Sequence, residues 1–151
     1  MANMKNSIAI RIIALFLVLS FVVPSTAHAA TSNHVQPYAS NYLTAYSAYV
    51  YVTNSGQAQV WVEVMGTGDM DEIGVLSILL YESTDGKTWT RIKTFSHENY
   101  GTTMLAEDDW YVSSHVSTQG IKGRYYKAYV CFWAGKNGSG DTRYMWTSVA
   151  S

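Results

Sequence analysis

The chain has 151 residues, a formal net charge of −1, and a composition that is 48% hydrophobic, 14% aromatic and 14% charged. A length of this order suits one domain, and the near-neutral charge argues against nucleic acid or an anionic membrane as main partner, since both demand a concentrated basic surface. Cys131 is the single cysteine, which excludes an intramolecular disulfide.

Residues 1–29 read as a cleaved secretory signal peptide. Lys5 and Arg11 give a positive start, an apolar run follows over 12–23, and Ala27-His28-Ala29 is a small-x-small cleavage site. The run is about a dozen residues where a spanning helix needs roughly 20, and no second run follows, so no stable membrane insertion is expected. The mature protein is expected to be secreted, either extracellular or associated with the cell envelope. Its 122 residues would carry eight Lys and Arg against eleven Asp and Glu, a net charge of −3.

Residues 30–39 mix small polar residues with Pro37 and read as a flexible leader to a single domain over 40–151. From Tyr42 the pattern turns to short β-type runs broken by Gly, Asn and Asp. The first run, 42–52, ends at Asn54-Ser55-Gly56, a hairpin signal. In the second, 57–65, Ala58, Val60, Val62 and Val64 alternate with Gln57, Gln59, Trp61 and Glu63, as in a half-buried strand. A polar loop is expected over 66–74. The third run, 75–83, places Leu76, Ile78 and Leu80 together and turns through Asp85-Gly86 into a fourth, 89–95.

Residues 96–108 fit a short strand or a loop equally well. The fifth run, 110–118, groups Trp110, Val112 and Val116 opposite Tyr111, Ser113 and His115. The sixth, 124–133, sets Tyr126, Ala128, Val130 and Phe132 toward a core and Tyr125, Lys127, Tyr129, Cys131 and Trp133 outward. A glycine-rich loop over 134–141 leads to the last run, 142–149, with Tyr144 and Trp146 on one face.

Seven runs at this spacing predict an all-β fold, an antiparallel two-sheet β-sandwich of immunoglobulin-like order, with a partly closed β-barrel as the alternative. Tyr126 sits where such sandwiches keep a tyrosine that staples the turn entering its strand. The paired cysteines and a clear tryptophan of the third strand are missing.

Several constellations could carry chemistry. Asp69, Asp71 and Glu72, with Asp141 from the other glycine-rich loop, form a weak calcium candidate, because calcium takes six to eight oxygen ligands. Their spacing does not match an EF-hand, and acidic residues beside glycine are also ordinary turn chemistry. Residues 83–89, Ser-Thr-Asp-Gly-Lys-Thr-Trp, resemble an Asp-box hairpin with one residue fewer between aspartate and glycine, and read as a folding device. His34, His97 and His115, with Glu98, Asp108 and Asp109, supply the raw material of acid–base chemistry but form no motif, and no zinc spacing is present. Cys131 reads as a small half-buried hydrophobe with no imidazole nearby in sequence.

The more specific signal is aromatic. The expected mature chain holds 5 Trp, 12 Tyr and 2 Phe, and the alternation turns Tyr125, Tyr129 and Trp133 outward, beside Tyr81 on a neighbouring strand. Flat rings on an exposed sheet suit stacking on sugars or docking to a protein. The same residues also simply favour a pleated, half-covered surface.

The signal peptide, Gly-Asp-Met-Asp-Glu-Ile-Gly at 68–74, residues 81–89 with their Asp-Gly turn, and Gly-Arg-Tyr-Tyr-Lys-Ala at 123–128 leading into Val130-Cys131-Phe132 carry a resemblance. The chain resembles small secreted domain-of-unknown-function proteins of Gram-positive bacteria, which implies a secreted β-sandwich and brings no functional residues with it. The reading that follows is a non-enzymatic secreted module that binds a glycan or protein through Tyr81, Tyr125, Tyr129 and Trp133, without a cofactor. A self-assembling structural protein, joined by edge strands or Cys131, is the alternative, and a small secreted hydrolase is a third.

Overall fold

The alternation of Ala58, Val60, Val62 and Val64 builds a strand, and that strand continues well past its expected end. The computed structural model describes residues 40–151; the signal peptide and leader readings lie outside the described residues. Among the described residues there are six strands: β1 (Leu43–Val52), β2 (Gln57–Ser83), β3 (Thr90–Ser96), β4 (Leu105–Gln119), β5 (Tyr125–Lys136) and β6 (Ser139–Trp146). Between β3 and β4 lie a single helical turn, α1 (His97–Tyr100), and a 3-10 turn, Gly101–Thr103.

All strand pairs are antiparallel and belong to one sheet, with the 27-residue β2 as its spine. Along β2 the flanking partners change. β1 and β4 flank residues 57–65, β4 and β5 flank 72–74, and β5 and β3 flank 77–82. Register shifts on β2 between Met65 and Met70, Val75 and Ser77, and Leu80 and Tyr81 mark bulges, which bend a strand and tighten its twist. The sheet thereby curls into a half-barrel. Val60 and Val62 from one end of β2 and Ile78 and Leu80 from the other join one buried core.

That core is lined by the residues whose period is two. Tyr126, Ala128, Val130 and Phe132 of β5 are fully buried, as are Ala58, Val60 and Val64 of β2. The Tyr46 ring of β1 meets Phe132 of β5 at 4.8 Å between centroids, which closes the seam between the two ends of the sheet.

The expected seven strands become six because residues 66–74 extend the spine instead of forming a loop. Their composition reads as a turn, yet their backbone is paired, Ile73 with Ala106 of β4 and Ala134 of β5. Gly74 is required at this crossing: its φ is 147°, and a Cβ there would stand 2.1 Å from the Met104 carbonyl oxygen, which accepts the Val75 N–H at 2.7 Å. One continuous curled sheet is closer to the partly closed barrel than to two separate sheets of immunoglobulin order. Two residues move from their expected places. The bulge between Val75 and Ser77 puts Val75, not Leu76, in the core, and Trp110, beside Asp108 at a φ of 52°, stands 51% exposed.

The turns follow their chemistry. The loop expected over 134–141 shrinks to two residues: Asn137 and Gly138, both at positive φ, link Lys136 to Ser139 of the β5–β6 hairpin, the conformation that matches strand twist, and β6 runs over 139–146 rather than 142–149. Tyr126 acts as the sequence suggests: its buried hydroxyl accepts the Ile121 N–H at 2.6 Å and donates to Glu82 at 2.8 Å, while Arg124 pairs with Glu82 at 3.5 Å. Burial is the main cause that raises the Tyr126 hydroxyl above its ordinary pKa of 10.0.

A candidate aromatic binding face

On β5 every second side chain points away from the core, which sets Tyr125, Lys127, Tyr129, Cys131 and Trp133 on the outer face. The registers arrange their neighbours in rows. Arg91 of β3, Tyr81 of β2 and Lys127 of β5 stand in one row; Thr94, Leu79, Tyr129 and Trp146 in the next; and Ser96, Ser77, Cys131 and Tyr144 in a third. Residues directly opposite across a sheet lie close enough for aromatic contact.

Four rings meet at the centre of these rows. Trp146 lies 5.3 Å from Tyr81 and 4.9 Å from Tyr129, tilted by 51° and 42°, and Tyr129 stacks with Tyr144 at 5.8 Å. Two of them are open to solvent, Tyr144 at 57% and Trp146 at 49% exposure. The Lys127 ammonium sits between two indoles, 4.3 Å from Trp89 and 4.6 Å from Trp146.

Trp89 is delivered to this position by the turn between β2 and β3. There the Asp85 carboxylate accepts the N–H groups of Lys87 and Thr88, each at 2.8 Å, and the Ser83 hydroxyl at 2.8 Å. Those bonds favour the ionised form, so the Asp85 pKa falls from its ordinary 3.8 to about 2, with the Thr88 and Lys87 N–H groups as the largest causes.

Of the four residues singled out from sequence, Tyr81 and Tyr129 are brought together here. Tyr125 stands one row beyond, beside Gly86 of the turn. Trp133 lies at the opposite end of β5, where its ring covers Gly135 and Gly140 and its Nε1 donates to Glu72 at 3.2 Å. It borders an open cleft with Asp71, Lys136 and Ser139. Four participants were not singled out: Trp89, Lys127, Tyr144 and Trp146. Lys127 shares the outward parity of Tyr125 and Tyr129, and Tyr144 and Trp146 share a face of the last run. The spacing therefore held part of the signal, but the β5–β6 register was needed to bring them beside Tyr129.

The carboxylates of the calcium candidate are dispersed among separate partners. Asp71 accepts the Asn137 N–H at 2.6 Å, Glu72 the Trp133 indole, and Asp141 the Ser40 hydroxyl, with Arg143 at 3.8 Å. Asp69 contributes its backbone oxygen to Lys136 at 2.7 Å. Among the described residues no three His, Cys, Asp or Glu side chains gather to hold a metal ion.

His34 lies outside the described residues. His97 contacts the Leu76 carbonyl oxygen at 3.3 Å through Nδ1, and His115 stacks on Trp61 at 4.4 Å. Asp109 caps the N–H groups of Trp110 and Tyr111, and Glu98 opens α1 behind Ser96. Cys131 is free and buried; burial is the main cause that pushes its thiol above the ordinary pKa, while hydrogen bonds with Tyr144 and Ser77 pull the other way.

A second aromatic row crosses the other end of the sheet. Tyr49, Trp61 and His115 stand opposite one another on β1, β2 and β4, with Tyr49 and Trp61 within 3° of parallel at 6.3 Å. No protein-family model, curated protein or solved structure matches this chain.

Proposed function

We propose that this chain is a secreted, non-enzymatic module that binds a glycan on the outer face of β2, β5 and β6. The observation that carries the reading is the cluster of Tyr81, Tyr129, Tyr144 and Trp146, four rings from three strands on a solvent-facing surface. Sugar rings present apolar C–H faces that stack on such rings, and the contact costs little side-chain entropy. Secretion rests on the signal peptide read from sequence. The resemblance to small secreted proteins of Gram-positive bacteria belongs to the same proposal.

Self-association is the second reading, favoured by the position of β6 at one end of the strand order, where it leaves an edge for another chain. Cross-linking through Cys131 does not support it, because that thiol is buried.

Affinity electrophoresis of the purified protein through gels containing polysaccharides tests the proposal. Retardation by at least one polysaccharide is expected, lost in Trp146→Ala and Tyr129→Ala with unchanged circular dichroism, and retained in Trp61→Ala. Equal loss in Trp61→Ala, or retardation by none, removes the proposal; a sedimentation coefficient that rises with concentration would favour self-association.

A further inference from the structure

Resting on the glycan reading, the distribution of charge over the aromatic face points to a narrower ligand class. We infer that the face takes an acidic polysaccharide, with Lys127 as the group that meets its anionic substituent.

The three rows that form the face contain eleven residues, of which Arg91 and Lys127 are cations and none is an anion. The excess of cations is local, since the domain expected after cleavage carries more Asp and Glu than Lys and Arg. Neighbouring carboxylates are committed elsewhere: Glu82 to Arg124 and Tyr126, Asp85 to the turn that carries Trp89, and Glu72 to Trp133 at the far end of β5. Among the described residues neither Arg91 nor Lys127 enters an ion pair.

Lys127 is also held in place. Its ammonium lies against the faces of Trp89 and Trp146 and keeps its hydrogen-bonding protons without a carboxylate partner. Rings attract a cation but do not neutralise it. A cation fixed between rings that stack on sugar C–H faces, with a second cation two strands away in the same row, complements a sugar bearing a carboxylate or phosphate. A neutral glycan would use the rings and leave both charges unused.

The test compares pairs that share a backbone and differ in charge: polygalacturonate against its methyl ester, and phosphorylated dextran against dextran. At low salt the acidic member of at least one pair is expected to bind about tenfold more tightly, as charge-assisted hydrogen bonds require. Which pair responds identifies the anionic group. Lys127→Met, which keeps the stem over the rings, should erase most of that preference, while Lys127→Arg restores it. Should Lys127→Met fail to fold, the wild-type preference must still collapse as salt rises from about 0.05 to 0.5 M.

Equal affinity within both pairs, or a preference insensitive to salt, overturns the acidic ligand and leaves a neutral glycan. Retention by no polysaccharide, charged or neutral, overturns the glycan reading as well.

Discussion

The two ends of the sheet both carry aromatic rows on their outer faces, and they use their rings differently. In the Tyr49–Trp61–His115 row the planes are nearly parallel, 3° and 19° apart, and each ring faces its cross-strand neighbour. Around Trp146 the contacts with Tyr81 and Tyr129 are tilted by 51° and 42°, and the Lys127 ammonium lies 4.6 Å from its ring. The first arrangement holds Tyr49 and Trp61 half-buried in one stack; the second, beside its own parallel Tyr129–Tyr144 pair, leaves the Tyr144 and Trp146 rings open next to a charge. Aromatic content alone therefore does not mark a binding surface. What matters is whether the neighbours consume the rings.

The largest expected effect concerns what the two ends share. Phe132 is fully buried and meets Tyr46 across the seam, so Phe132→Ala should cost about 3–5 kcal/mol. Both ends should be lost in one transition, because one core underlies them. Urea unfolding followed by near-ultraviolet circular dichroism and by tryptophan fluorescence checks this, and two separated transitions would show that the ends are stabilised independently.

A smaller effect separates the two rows. Trp61→Ala removes the middle ring of a three-ring row and should cost about 1–3 kcal/mol, since each aromatic contact adds to the area buried. Trp146 is 49% exposed, and Trp146→Ala should cost less than about 1 kcal/mol, in the range of surface substitutions. If thermal denaturation ranks the two the other way, the Trp146 cluster is a structural element and the distinction between the ends fails.

Much of this contrast was legible in sequence and its decisive part was not. The period of two in Ala58, Val60, Val62 and Val64, and in Tyr126, Ala128, Val130 and Phe132, identifies the inner faces because burial selects apolar residues locally. The turns at Asn54–Gly56 and Asp85–Gly86 are legible because positive φ restricts residue type, whereas the glycine-rich composition of 134–141 reads as one loop and hides the pairing of 134–136 with 139–141. Residues 66–74 were not, since Thr67, Gly68, Asp69, Asp71 and Glu72 are exposed and their composition matches a loop even where the backbone is paired. The joining of Tyr81, Tyr129 and Trp146 was hidden for a different reason: it is a matter of register between strands 48 and 17 residues apart along the chain, and no local pattern encodes it.

The smallest effect tests how the open end is supported. Trp89 reaches Lys127 from a turn tied by the Asp85 carboxylate, whose pKa is lowered to about 2. A carboxyl with a depressed folded-state pKa adds stability that is present above its ordinary value, 3.8 for Asp85, and is lost as pH falls through the folded value. Asp85→Asn keeps the shape and removes the charge, so the wild type should exceed it in urea midpoint at pH 7 by an amount that shrinks between about pH 4 and pH 2. Every other carboxylate is common to both proteins and cancels in the difference. A parallel decline in polysaccharide binding by Asp85→Asn at pH 7 would show that the turn positions Trp89 for the face. A midpoint difference that stays constant down to about pH 2 would mean the carboxylate's charge does not hold the turn, and the open end would then rest, like the closed row, on ring contacts alone.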